Sequence, residues 1–181
     1  MEKRQLIKAG VTAAVAVAAV GAGVGVGLRK FSVTPADDAI VEDFLGREYP
    51  DPAGRQTTLS TYRGQVLVVN FWATWCAPCI QEMPELSEIQ DETLASGVKV
   101  LGLAIDSAPK VRAFSQRLPV SYPLLVLGAS GIDLAKQFGN TSGSLPYTVV
   151  INRSGAIVNQ TLGRFNKQTL LQTIEKTVAR S

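Results

Sequence analysis

Between Gln65 and Trp72 the chain reads Gln-Val-Leu-Val-Val-Asn-Phe-Trp, β-branched, aromatic and almost continuously apolar. A run of this kind, without polar alternation, is the pattern of a strand covered on both faces, and therefore of a sheet held between helices. Directly after it comes Trp75-Cys76-Ala77-Pro78-Cys79, and from Ala77 onward the pattern turns helical, with Ile80, Met83, Leu86 and Ile89 at every third residue. A buried strand feeding a helix through a short loop is the beginning of an α/β fold. The strand-to-helix junction falls on the cysteines.

Cys76 and Cys79 are the only cysteines in 181 residues, and the chain has no histidine. Residues three apart on the first turn of a helix are neighbours, so the two thiols can close a disulfide. A helix N-terminus offers unpaired N–H groups and the positive end of the dipole, which favour a thiolate on the first cysteine. Cys76 is thus the candidate nucleophile, and Cys79, further inside the helix, is the candidate for resolving a mixed disulfide. Pro78 fits the first turn, where its missing N–H costs nothing. Two other readings compete with this one. A zinc half-site lacks a second cysteine pair and any histidine, and a pair of inert buried thiols does not account for the flanking Trp75 and Pro78 at a junction. Thiol–disulfide exchange, which needs no cofactor and no metal, is the chemistry expected.

Elsewhere the chain continues the same alternation. A short hairpin is expected around Pro50-Asp51-Pro52-Ala53-Gly54, a strand over Val98 to Ile105, a helix over Pro109 to Leu118, a short strand over Leu124 to Leu127 and a helix over Ile132 to Phe138. Pro146 precedes a Thr-Val-Val-Ile strand, the turn residues Asn152-Arg153-Ser154-Gly155 and a second strand from Ala156, which is a hairpin signal. A last helix runs from Lys167 to about Ala179. Strands and helices that alternate and end in a hairpin imply an α/β sandwich with a mixed sheet. A proline at the entry of a strand costs no ladder bond, so Pro146 by itself is consistent with an ordinary strand start.

The N-terminus bears on compartment. Lys3, Arg4 and Lys8 precede Ala9 to Leu28, 20 residues without a charge, long enough to span a bilayer. The segment is either an uncleaved signal-anchor or a signal peptide, with Val20-Gly21-Ala22 offering a cleavage site, and its length favours the anchor. We therefore divide the chain into residues 1–30 as anchor, 31–43 as linker, with Pro35 and Asp37-Asp38, and 44–181 as one domain. The chain carries 18 basic and 15 acidic residues, but leaving out Glu2, Lys3, Arg4, Lys8, Arg29 and Lys30 gives 13 against 14. The domain is close to neutral, which argues against nucleic acid as a partner.

Asn70-Phe71-Trp72-Ala73-Thr74-Trp75-Cys76-Ala77-Pro78-Cys79, followed by Glu82 and Pro84, resembles the active-site signature of membrane-anchored thioredoxin-like proteins of the TlpA/ResA/CcmG (DsbE) type. The stretch Gly143 to Gly155 resembles that family's second signature, and the likeness extends from about Phe44 to the C-terminus. The resemblance implies a thioredoxin-like fold with a central mixed sheet, an N-terminal hairpin and a central insertion between Asp106 and Gly143. It also implies a cis Pro146 facing the disulfide, so that the backbone of Leu145 is a docking edge for a partner's cysteine segment. Trp75 suits either a shield for the disulfide or part of that partner surface.

Ordinary thioredoxin carries a buried aspartate where this chain has Asn70. Glu82, three residues after Cys79, is in reach as a replacement acid, although its place also suits an acidic residue on a solvent-facing first turn. In the family it resembles, a glutamate there belongs to the active site. The family further implies protein thiols and disulfides as substrates, a membrane thiol transporter of the DsbD/CcdA kind as electron donor, and roles in cytochrome c maturation or the assembly of oxidase copper sites. Two different readings remain: a peroxiredoxin-like peroxidase, and a non-enzymatic docking or metal-delivery module. The first normally has its cysteine in a Thr-x-x-Cys setting, and the second needs ligands this chain barely has.

Overall fold

A computed structural model describes residues 35–180. Its elements are α1 (Pro35–Leu45), β1 (Glu48–Pro50), β2 (Gln56–Thr58), β3 (Val66–Trp72), α2 (Ala77–Thr93), β4 (Val98–Ala104), α3 (Ala108–Arg117), β5 (Leu124–Val126), α4 (Gly131–Gln137), β6 (Tyr147–Ile151), β7 (Ile157–Leu162) and α5 (Lys167–Arg180). The central sheet has the order β5-β4-β3-β6-β7. β3 pairs in parallel with β4, and β4 with β5, whereas β6 runs antiparallel to β3 and β7 antiparallel to β6. β1 and β2 form the separate hairpin expected around Pro50. This is the thioredoxin-like α/β sandwich with a mixed sheet.

All seven residues of β3 are buried, as a strand central to a sandwich requires. Its alternate residues serve two cores. Val66, Val68 and Trp72 pack with Cys79, Met83, Leu86 and Ile89 of α2 and with Leu170 and Ile174 of α5. Leu67, Val69 and Phe71 face the other way, toward Val41, Phe44 and Leu45 of α1 and Leu134 of α4. The period of two along the strand thus divides one apolar run between two layers of helix. Pro84 lies inside α2 on its exposed side, where it removes the amide that would bond to the carbonyl of Ile80, and the helix continues past it to Thr93.

The linker expected over residues 31–43 needs correction. Residues from Pro35 form α1, and Val41 and Phe44 on its inner face are fully buried. Ile40, Val41, Phe44 and Leu45 are the i, i+1, i+4, i+5 stripe of a short amphipathic helix. Proline followed by acidic residues is linker composition, but it is equally the composition of a helix's first turn. Phe44 meets Phe138 edge to face with ring centroids 5.4 Å apart, so this helix belongs to the domain. The anchor expected over residues 1–30 and the first part of the expected linker lie outside the described residues. Among the described residues no helix is long and apolar enough to cross a membrane.

Candidate active site

β3 ends at Trp72, and the loop that follows is tied down from two sides. The Trp72 carbonyl accepts a hydrogen bond from the Ile105 amide at 2.8 Å, and the Thr74 hydroxyl donates to the carboxylate of Asp106. Asp106 also accepts from the Ser107 amide at 2.8 Å and has Lys110 at 3.5 Å. These partners hold its carboxyl below the ordinary range against the opposing effect of burial. The end of β4 therefore fixes the loop that presents the cysteines.

Cys76 is the N-cap of α2, with extended backbone, and is disulfide-bonded to Cys79 with Cα atoms 5.3 Å apart. Its sulfur accepts the Cys79 N–H at 3.3 Å, so one of the orphan amides of the helix start is aimed at the atom that becomes a thiolate on reduction. Cys76 is 5% exposed and Cys79 fully buried, the order expected for an attacking and a resolving thiol. Trp75 beside them is 67% exposed, an unusual placement for so large an apolar side chain.

Register brings the second signature to the same place. Tyr147 of β6 pairs with Phe71 of β3, so the preceding residues lie alongside the end of β3 where the cysteine loop begins. The Leu145–Pro146 peptide is cis, and the Pro146 carbonyl accepts from the Gly163 amide at 2.8 Å. Leu145 is half-buried against the core that contains Cys76 and Cys79. The Leu145 N–H and C=O make no backbone hydrogen bond to another described residue. The loop before it is held by the buried Asn140, whose side chain donates to the Ser144 carbonyl at 2.8 Å and accepts from the Gly143 amide at 3.1 Å.

Glu82 does not face solvent. It is fully buried, and its Oε1 accepts a hydrogen bond at 2.7 Å from the Asn70 side-chain amide, which also reaches Thr148 Oγ1 at 3.0 Å. The solvent-facing reading of Glu82 is therefore excluded for this acid, while the neighbouring Glu85 and Glu88 are engaged at the surface by Arg164 and Lys167. Burial pushes the Glu82 carboxyl up to about 7, against smaller opposing effects from Asn70, the Phe165 backbone and Arg164, and Glu85 adds to the rise. A carboxyl titrating near neutrality on the same face of α2 as Cys79 can take up and return a proton. Asn70, itself unable to carry one, holds the acid that can.

The structure brings Trp75, Cys76, Cys79 and Glu82, named from the sequence, together at the start of α2, with Leu145 and Pro146 alongside the end of β3. The sequence did not single out Asp106 as the anchor of the cysteine loop, nor Tyr122, a largely buried phenol close enough to Glu82 to be affected by its charge. The only sequence signal for Asp106 is a polar residue at the end of a buried strand. Among the described residues no group of three or more metal-ligating side chains converges.

Comparison with known proteins agrees with this geometry. The sequence model of the Redoxin family matches residues 47–176. Thiol-disulfide oxidoreductase ResA of Geobacillus thermodenitrificans is 31% identical over 144 residues, covering 77% of this chain and 74% of that protein. Thioredoxin-like protein YneN of Bacillus subtilis is 30% identical over 139 residues, covering 72% and 78% respectively. Among solved structures, a DsbE thiol:disulfide interchange protein of Chlorobium tepidum superposes with a TM-score of 0.65 at 25% identity, covering 73% of this chain and 92% of that one. The exposed lipoprotein thioredoxin of Streptococcus pneumoniae gives 0.61 at 26% identity, covering 72% and 98%. A cysteine pair at the N-terminus of a helix, a buried glutamate one turn on and a cis proline at the end of the paired strand are joined here to relatives of that chemistry, and the chain belongs to the Redoxin family as a thioredoxin-like thiol–disulfide oxidoreductase of the TlpA/ResA/CcmG type.

Proposed function

We propose that this oxidoreductase reduces protein disulfides outside the cytoplasm, held to the membrane by residues 9–28. The Cys76 thiolate attacks one sulfur of the substrate disulfide, and the other leaves as a thiolate that takes a proton from water. The Cys79 thiol then gives its proton to Glu82, attacks the Cys76 sulfur of the mixed disulfide and releases the second substrate thiolate. Trp75, Leu145 and Pro146 form the face on which the partner's cysteine segment lies, with the unpaired backbone of Leu145 as its docking edge.

The observation that carries the direction is the buried Glu82 one turn beyond Cys79. A strongly stabilised thiolate makes a pair oxidising, and here the thiolate has the Cys79 amide and the helix start in its favour, no histidine in the chain, and a buried acid nearby that opposes a second negative charge. We infer from that balance a pair at the thioredoxin end of the scale, about −270 mV, and not at the oxidising end of about −120 mV. A reductant in an oxidising compartment has to be recharged, and a membrane thiol transporter of the DsbD/CcdA kind is the donor that suits it. Cysteines of apocytochrome c and of copper-site assembly proteins are the substrates proposed. The test is Cys79→Ser in cells. Cys76 then stalls as a mixed disulfide with its partner, recovered as a covalent adduct that a thiol reductant releases. A Cys76 that reacts with an alkylating agent yet yields no adduct would sink the mechanism.

A further inference from the structure

Glu82 has a second oxygen, and it has no hydrogen-bond partner among the described residues. Oε2 of Glu82, Oδ1 of Asn70, Nε1 of Trp72 and the hydroxyl of Tyr122 are all buried and make no hydrogen bond among the described residues. Unpaired buried polar atoms are few in native proteins, and four in one domain call for an explanation. These four are not scattered. Asn70 holds Glu82, Asn70 pairs in register with Gly102, and a Cβ on Gly102 would meet Leu124 Cδ2 at 2.7 Å, Tyr122 Cε2 at 3.0 Å and Trp72 Nε1 at 3.3 Å. The glycine lets the tyrosine ring and the indole edge converge beside the Asn70–Glu82 pair.

Their chemistry is complementary to water. Glu82 Oε2 and Asn70 Oδ1 accept, Trp72 Nε1 donates, and the Tyr122 hydroxyl does either, which is the set that buried water satisfies through two to four bonds. Tyr122 also borders the outside. It is 4% exposed and lines a surface groove of about 430 Å³ with Arg55, Ser115, Pro119 and Pro123. This groove involves the β1–β2 hairpin and the segment before β5, and does not include Trp75 or Leu145.

We propose that these four atoms bound a hydrated chamber and that Tyr122 is a positioning residue whose hydroxyl, through water, connects Glu82 to solvent at the groove. The need for such a route follows from the reading of Glu82 as the proton carrier, on which this inference rests. During the mixed disulfide the partner covers the cysteine face, and a proton taken from Cys79 has to leave elsewhere. The charged and titratable groups around Glu82 are Arg164 and Glu85, which affect its charge, Cys79 one turn before it, and Tyr122. Of the four residues with unpaired polar atoms, only Tyr122 also lines the groove, where the apolar Leu124 stands beside it. Burial and the charge of Glu82 keep the phenol neutral, so it passes a proton by hydrogen-bond exchange and does not carry charge.

The oxidised full-length protein, without substrate, provides the test, so its outcome is independent of adduct trapping by Cys79→Ser. The infrared carboxylic-acid band of protonated Glu82, identified by its loss in Glu82→Gln, is followed after dilution into D2O. The band of the native protein shifts rapidly, and Tyr122→Phe slows that shift by about tenfold or more, the scale of one lost hydrogen bond. Thermal stability of Tyr122→Phe stays equal or falls. A native band that resists exchange until the protein unfolds overturns the hydrated chamber, whatever the fate of the variant. Equal exchange in both proteins overturns the role of Tyr122, and a raised melting temperature with unchanged exchange marks its hydroxyl as dry.

Discussion

Replacing Glu82 by Gln converts a titrating carboxyl into a fixed imitation of its protonated form, and the structure dictates how the consequence depends on pH. The ordinary carboxyl titrates at 4.5, and burial in the fold moves Glu82 to about 7. A raised value means that the folded state holds the proton more tightly than the unfolded chain. The stabilising contribution of the neutral acid is therefore complete below pH 4.5 and is lost as pH rises toward 7. The separation corresponds to about 3 kcal/mol, most of it accumulating between those two values. Glutamine keeps the acceptor for the Asn70 amide and, with no charge to bury, carries none of this penalty. Urea denaturation of the oxidised protein and of Glu82→Gln should give nearly equal stabilities at pH 4.5. At pH 8 the variant should be more stable by about 3 kcal/mol, while its rate of disulfide exchange falls. A difference that is flat with pH, or a native protein that gains on its variant as pH rises, would refute the argument by showing that the fold accommodates the Glu82 charge without cost.

Two further expectations use other parts of the structure. Trp75→Ala should change stability by less than about 0.5 kcal/mol, because the side chain is mostly in solvent, and should slow exchange with a protein disulfide about tenfold while leaving exchange with a small disulfide unchanged. Equal loss on both substrates would mean that Trp75 shields the disulfide and does not dock a partner. Phe44→Ala should cost about 3–5 kcal/mol in chemical denaturation, since the ring is fully buried against Phe138 and 6.0 Å from Tyr49, and a cost under about 1 kcal/mol would return α1 to the status of a linker.

What the sequence disclosed and what it hid divide along chain separation. The buried strand β3, the cap at Cys76, the neighbouring positions of Cys79 and Glu82 and the hairpin after Pro146 are set by contacts between near neighbours, and periodicity reports such contacts directly. Thr74 and Asp106 are 32 residues apart, and Glu82 and Tyr122 are 40 apart in the numbering, so their meeting depends on the β3–β4–β5 pairing that no local pattern encodes. The segment 35–45 failed for a different reason. Its proline and aspartates fit both a linker and a first helical turn, and only the burial of Val41 and Phe44 decides between them.

Asn70 is the residue through which the two parts of the site act as one. Placing an amide at a strand position where ordinary thioredoxin has an acid moves the titrating group from the sheet to α2, the helix that also carries Cys79. Burial alone would drive such an acid further toward permanent protonation, and a permanently protonated Glu82 could not accept from Cys79. The Asn70 amide opposes this by donating to Oε1, an interaction that favours the charged form, while the same amide also donates to Thr148 Oγ1. A carboxyl balanced near neutrality takes a proton and gives it back with comparable ease, which is the condition for serving both halves of an exchange. In this chain the strand residue at position 70 has no proton to titrate, and its amide instead sets how tightly the buried acid at position 82 holds one.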